Sequence, residues 1–519
     1  MKVKRLKESP NNRKHPAGKS GQLPEELEIL DLENEEEKKK LPDRRGTRPK
    51  GRDRKGGNRE YLRITYLFAG IFACLLLYLV YFNVFQSADV INSPYNTRQD
   101  TFADRVIRGK IYSADGEVLA ETKVASDGTE TRSYPYANMF AHVVGYDTNG
   151  KAGVESIANF HLLTSNAFFG ERIMKELREE KNIGDNVITS LNVKLQQVAY
   201  DALGSHKGAV VAMEPSTGKI LAMVSKPDYD PGAVSANWQT LLNSSDSELL
   251  NRATQGQYTP GSVFKIVTAL EYIREHPDYD SFSFDCTGSF TDSGYTINCY
   301  HGNKHGEEDF TRAFAKSCNS AFASIGLGLD RNSFRQTCKD LLFNMELPSA
   351  LPYSKSNFAL TDDAENSLAM MTAMGQGKTM VSPLHMALIT SSIANGGVLM
   401  KPYLVTEVQN YTGDSVKKYT PTAYGKLMTA EEASVLTDLM EAVVSDGTAS
   451  KLSGQSYTAA GKTGTAEFSS DKSKSHAWFT GFSNVGSPDL VVTVIVEEAG
   501  SGSEYAVPIA KKIFDAYYN

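Results

Sequence analysis

At 519 residues, with 40% hydrophobic and 23% charged side chains, the chain is too long for one ordinary domain and has the composition of a globular protein. Its formal net charge of -7 gives no reason to expect nucleic acid as a partner. Its five cysteines are too few for a disulfide scaffold.

Residues 1 to 63 hold no aromatic side chain before Tyr61 and are crowded with Lys, Arg, Glu and Pro. They are expected to form a disordered tail, because so little apolar surface cannot offset the entropy of ordering. Within the tail, Pro24 to Lys40 places Glu25 and Glu26 early and Lys38 to Lys40 late, which suits a helix dipole on binding a partner; a solvated charge run is the preferred reading. Residues 64 to 88 carry no charge. At ~1.5 Å per residue, Leu67 to Phe85 is long enough to cross a ~30 Å hydrocarbon core, which predicts a transmembrane signal anchor. The basic cluster from Arg44 to Arg63 precedes the anchor, and Asp89 and Asp104 follow it. The positive-inside rule therefore predicts a cytoplasmic tail and an exported remainder.

Residues 89 to 190 are short-stranded and turn-rich. Val106 to Tyr112, the turn Asp115-Gly116 and Val118 to Ala120 read as a hairpin. With no cluster of His, Cys or carboxylates, this spacer is assigned no chemistry. A second region, residues 191 to 519, begins with a helical run from Asn192 to Leu203 and a hairpin of Gly208 to Met213 and Lys219 to Ser225. At the far end, Tyr457 to Phe468, His476 to Phe482 and Leu490 to Glu497 read as strands, and Val507 to Tyr518 as a helix. Between about Gly261 and Ala449 the patterns are mainly helical. Strands at both ends around a helical section imply an α+β domain with one antiparallel sheet assembled from distant parts of the chain and covered by helices.

Of the exported cysteines, Cys286 and Cys299 flank a Gly- and Ser-containing turn; a disulfide between them and free buried thiols fit the sequence equally. Ser-x-x-Lys occurs at Ser216/Lys219, Ser262/Lys265, Ser415/Lys418 and Ser469/Lys472. Only Ser262 follows a Pro260-Gly261 breaker and opens an apolar run, Val263 to Ile273, that reads as a central buried helix. A serine at a helix start is often only a cap, and a lysine one turn on can reach solvent. Buried together, though, they make a nucleophile and a base, since desolvation favours the neutral amine. Ser317-Cys318-Asn319 adds a hydroxyl and an amide. Gly461 and Gly464, flanking Lys462-Thr463 in a strand, permit close backbone approach. The Gly-Lys-Thr runs at 377 and 461 lack the earlier glycine of a phosphate loop, since Thr372 and Ser456 stand there.

Ser262-x-x-Lys265, Ser317-x-Asn319 and Lys462-Thr463-Gly464, in this order, resemble the three motifs of the penicillin-binding transpeptidases and serine β-lactamases. Tyr258 to Ser262, Met374 to Gly377, Ala394 to Gly397 and His476 to Gly481 resemble the same family's catalytic domain. Arg108 to Ile111 with Gly153-Val154-Glu155 resembles its N-terminal pedestal, or dimerisation, domain. The resemblance implies the penicillin-binding fold and a class B protein, because the spacer is too short for a glycosyltransferase domain.

It further implies that Ser262 attacks the bond between two terminal D-alanines of a peptidoglycan stem peptide while Lys265 takes its proton. Backbone N–H groups of Ser262 and Thr465 would form the oxyanion hole, and Ser317 would pass a proton to the leaving group. Lys462, Thr463 and Gly464 would hold the substrate carboxylate end, and Asn319 its amide. β-Lactams would acylate Ser262. No metal and no cofactor are implied. The implied partner is a membrane lipid-II polymerase of the shape, elongation, division or sporulation class. A carboxypeptidase or β-lactamase-like hydrolase would use the same motifs with water, and a non-catalytic scaffold activating the polymerase would not need all three.

Overall fold

The computed structural model describes residues 57–82, 105–467 and 474–519. Most of the expected tail, the far end of the expected membrane span, residues 89–104 and the Ser469 motif lie outside the described residues. The helix Gly57–Tyr81 begins seven residues before the expected span, with Glu60 in its first turn, where an acidic group complements the helix dipole. Its stretch Arg59–Tyr81 is long and apolar enough to cross a membrane.

The expected α+β domain is present. Its sheet runs Ala459–Glu467, Ser475–Ser483, Leu490–Val496, Gly208–Met213, Ile220–Lys226, every neighbour antiparallel. Every residue of Leu490–Val496 and Gly208–Met213 is buried, as a sheet covered on both faces requires. Helices Val193–Leu203 and Ala506–Tyr518 pack together on one face, and Pro383–Ala394 packs on the other. Pro383–Ala394 is buried on all sides from Pro383 to Ile393, so the domain has a second core helix beside Lys265–Glu275. Residue Thr390 ties it to the sheet through Thr480 Oγ1 at 2.6 Å.

The section between 261 and 449 is less helical than its patterns suggest. Short strands interrupt it at 283–286, 289–292, 295–298, 306–309, 398–400, 405–409, 415–418 and 423–426. Each is only three to five residues long, too short for an alternating pattern to stand out. Val405–Gln409 and Ser415–Lys418 join the pedestal's sheet, in the order Ser415–Lys418, Val405–Gln409, Asn186–Thr189, Ile111–Tyr112, Val118–Val124, Glu130–Ser133. The expected hairpin at 111–120 is part of this sheet, whereas Val106–Ile107 pairs in parallel with Asn182–Ile183. The pedestal text is brought together by charge: buried Glu155 accepts from Arg108 Nε at 2.6 Å and from Arg132 Nε at 2.7 Å. Burial alone would raise the Glu155 carboxyl, but the two guanidinium groups hold it below the usual carboxylate range.

Candidate active site

The nucleophile candidate lies in a 3-10 turn, Gly261–Phe264, leading into the α-helix Lys265–Glu275. In that geometry side chains three apart eclipse, which places Ser262 and Lys265 one above the other. Ser262 is partly exposed, whereas Lys265 is fully buried. The turn is pressed against the edge strand Ala459–Glu467. Gly261 has φ +55°, a region that L side chains rarely adopt, and a Cβ there would lie 2.7 Å from Thr465 O. A Cβ on Gly464 would meet Pro260 O at 3.0 Å and Val263 Cγ1 at 3.1 Å. Gly464 thus allows the close approach expected of it, while Gly461 makes room for the Phe479 ring of the neighbouring strand. Trp478 Nε1 donates to Thr259 O at 3.1 Å, and Gly261 N–H donates to Gly375 O at 2.9 Å. These bonds seat the turn from two sides.

Ser317 comes from a helix end. Its N–H donates to Phe314 O at 3.1 Å, and the Cys318 N–H reaches back to Ala313 O at 2.9 Å. This bond pair closes a helix around a left-handed residue, usually Gly. Here Ser317 takes φ +57°, at a cost of about 1 kcal/mol, and presents a hydroxyl to two lysines. Lys462 Nζ donates to Ser317 Oγ at 2.9 Å, and Lys265 Nζ lies 3.3 Å from the same oxygen. Lys265 also donates to Ser317 O at 2.7 Å and Asn319 Oδ1 at 2.9 Å. Its hydrogen bonds thus run to Ser317 and Asn319.

Burial pushes Lys265 down to about 8. Burial, reinforced by the Lys265 charge, holds Lys462 well below the ordinary lysine range. Two ammonium groups cannot share one hydroxyl in a dry site. A neutral Lys265 keeps its two N–H donors on the two carbonyl oxygens and leaves its lone pair for a hydroxyl. The arrangement can therefore accept a proton from a serine and move it through Ser317 Oγ.

The expected substrate-side residues share the edge strand. Thr463 is buried, its Oγ1 2.5 Å from Thr448 Oγ1, and Thr465 is partly exposed. Asn319 is engaged at both ends of its amide, since Nδ2 donates to Asn298 O at 3.1 Å. The sequence reading missed Asn298, Thr448 and Gly375; only the glycine had a signal, inside the Met374 to Gly377 stretch. Cys318 does not line the cleft. It is fully buried, and its sulfur accepts from Ala321 N–H at 3.4 Å at the start of helix Asn319–Gly328. Of the other Ser-x-x-Lys pairs, Ser216 lies in a hairpin turn and Ser415 on an exposed strand, remote from this cluster in the fold.

The profile of the penicillin binding protein transpeptidase domain matches residues 208–515, and that of the penicillin binding protein A dimerisation domain matches 108–187. The chain is 32% identical over 435 residues to the peptidoglycan D,D-transpeptidase PbpA of Mycolicibacterium smegmatis, covering 78% of this chain and 87% of that protein. To PbpA of Mycobacterium tuberculosis it is 31% identical over 496 residues, covering 88% and 99%. The penicillin-binding protein A of M. tuberculosis, solved as an imipenem acyl-enzyme, superposes with TM-score 0.72 at 28% identity over 80% of this chain and 100% of that one. The D,D-transpeptidase domain of a peptidoglycan glycosyltransferase from Eggerthella lenta gives TM-score 0.71 at 30% identity over 80% and 98%. Motifs, sheet and site geometry converge with these matches: the chain belongs to the penicillin-binding protein transpeptidase family.

Proposed function

We propose that the chain is a serine D,D-transpeptidase that cross-links peptidoglycan stem peptides through an acyl-enzyme on Ser262 and is a target of β-lactams. The observation that carries the residue roles is the convergence of two buried lysines on Ser317 Oγ beside a nucleophile turn clamped to an edge strand. Neutral Lys265 takes the Ser262 proton as Oγ attacks the D-alanyl carbonyl. The tetrahedral oxyanion is received by backbone N–H groups of Ser262 and Thr465, each such donor contributing about 3 to 4 kcal/mol to the barrier reduction. As the C–N bond breaks, the proton passes from Lys265 through Ser317 Oγ to the leaving amine of D-alanine, with Lys462 orienting that hydroxyl. The acyl group then moves from Ser262 to an amine of a neighbouring strand. An edge strand presents unpaired backbone groups to an extended peptide, which supports Thr463, Gly464 and Thr465 as its docking edge and Asn319 as the opposing amide. Ser262→Ala should abolish covalent labelling by a fluorescent penicillin; labelling at the wild-type level would overturn the nucleophile assignment.

The apolar helix supports anchoring with the tail in the cytoplasm and the catalytic domain outside, the orientation given by the charge asymmetry around it. A membrane polymerase partner is supported by the helix Phe169–Leu177, none of whose residues is buried. Phe168, Phe169 and Leu177 there are 80%, 71% and 75% exposed, an apolar patch of the kind that marks an interaction surface. Phe169→Glu with Leu177→Glu should reduce co-purification with such a polymerase and leave penicillin acylation intact; unchanged co-purification would remove this surface from the account.

A further inference from the structure

Behind the second motif, on the side away from the cleft, sulfur and nitrogen donors converge. Cys318 Sγ lies 3.7 Å from Cys299 Sγ, which lies 3.6 Å from Cys286 Sγ, and that atom lies 3.3 Å from His305 Nδ1. All four atoms lie within 4.8 Å of one another, and none of the cysteines is in a disulfide. We propose that Cys286, Cys299, His305 and Cys318 hold a structural zinc ion that fixes the catalytic Ser317 and Asn319 from behind.

The three distances that run from Cys318 through Cys299 and Cys286 to His305 are those a tetrahedral ion imposes. Metal–sulfur bonds of ~2.3 Å set sulfurs ~3.8 Å apart, and a metal–nitrogen bond of ~2.0 Å sets sulfur and nitrogen ~3.5 Å apart. A disulfide between Cys286 and Cys299 would need those sulfurs at ~2.05 Å and would leave a third thiol and an imidazole facing the bond with nothing to do. Three thiolates and one imidazole form a soft, closed donor set of the kind that selects zinc. On binding, the three S–H protons leave to solvent and His305 coordinates as the neutral ring through Nδ1. With four protein ligands the ion keeps no open position, so its role is to hold the fold rather than to activate a substrate.

A buried carboxylate stands beside the cluster. Glu308 is 2% exposed, and neither of its carboxylate oxygens has a hydrogen-bond partner among the described residues. Glu308 acts on the Cys318 thiol and its charge on the Lys265 ammonium, which sets this carboxylate between the donor cluster and the buried lysine.

The ligands come from a short-strand module. Cys286 ends the strand Ser283–Cys286, which pairs with Gly306–Asp309 immediately after His305. Cys299 follows Tyr295–Asn298 of a neighbouring hairpin. Cys318 stands between Ser317 and Asn319, and Asn298, next to Cys299, accepts the Asn319 amide at 3.1 Å. One ion therefore ties both sides of that hydrogen bond and the left-handed residue that presents the Ser317 hydroxyl. This reading revises two sequence expectations: that the chain holds no metal, and that Cys286 and Cys299 are either a pair or idle thiols.

The test is metal analysis of the full-length protein, purified in detergent without chelator or added metal, together with its rate of acylation by a fluorescent penicillin. About one zinc per chain is expected, lost in Cys299→Ser and in His305→Ala. Stripping the wild-type metal should slow acylation by about tenfold or more, and added zinc should restore it. Should the variants fail to fold, cobalt(II) exchanged into the wild-type protein should give thiolate-to-cobalt charge-transfer absorption. A wild-type chain that purifies metal-free, with free thiols or with a Cys286–Cys299 disulfide, overturns the site. Acylation unchanged by metal removal overturns its hold on the second motif.

Discussion

The wall of the cleft formed by the edge strand and the nucleophile turn is held by main-chain contact, whereas the wall carrying Ser317 and Asn319 is held by side chains. On the first, Gly261, Gly375 and Gly464 allow backbones to touch, so that a Cβ on Gly375 would lie 2.0 Å from Gly261 O. On the second, a serine sits in a conformation usual for glycine, pinned by Lys265, Lys462 and the buried cluster around Cys318. Main-chain seating makes the first wall sensitive to added volume. Side-chain seating makes the second sensitive to lost polar groups, which are costly to leave unpaired when buried.

Substitutions can break this contrast in either direction, and the largest effect should come from the shared base. Lys265→Arg keeps a cation that cannot act as a base and should slow acylation by about 10² to 10⁴-fold; stopped-flow rates within a factor of a few of wild type would remove Lys265 from that role. The wild-type rate should also follow the protonation of this amine. Only the neutral form accepts a proton, so acylation should fall about tenfold for each pH unit below about 8 and level off above it. A profile flat across that range would count against a lysine base.

On the first wall, Gly464→Ala puts a methyl 3.0 Å from Pro260 O and from Trp478 Cβ, atoms with little freedom to move. Overpacking of that kind should destabilise by about 1 to 3 kcal/mol in thermal or denaturant unfolding and slow acylation as well; a neutral change would show that the turn is less firmly seated than its contacts suggest. The smallest effect sharpens the second wall. Ser317→Gly should be more stable than Ser317→Ala by about 1 to 2 kcal/mol, because alanine resists the left-handed φ, while both slow acylation by removing the hydroxyl. Equal stability of the two variants would mean that the strain at Ser317 is not expressed.

The legibility of the two walls differs in the same way. The nucleophile turn announced itself through Pro260-Gly261 and the apolar run to Ile273, and the edge strand through Gly461 and Gly464. Strands at 208–226 and 457–497 could be joined into one sheet because their buried runs are continuous. The second wall was readable only as the three letters Ser317-Cys318-Asn319. Nothing local reveals that Ser317 is left-handed, since glycine is the usual marker of that conformation. The convergence of Cys286, Cys299, His305 and Cys318 was illegible because their spacings match no familiar metal-ligand pattern; it depends on short paired strands that carry little periodic signal. Pro383–Ala394 was read only as helical text. A helix buried on every side carries no mark of which face of a sheet it covers.

The most direct test of the central claim is intact-mass spectrometry of the full-length protein after exposure to a penicillin, followed by peptide mapping of the adduct. One stable adduct per chain on the peptide containing Ser262 is the result expected of a serine transpeptidase with slow deacylation. An adduct on another peptide, or an intact drug with an unmodified chain, would contradict it.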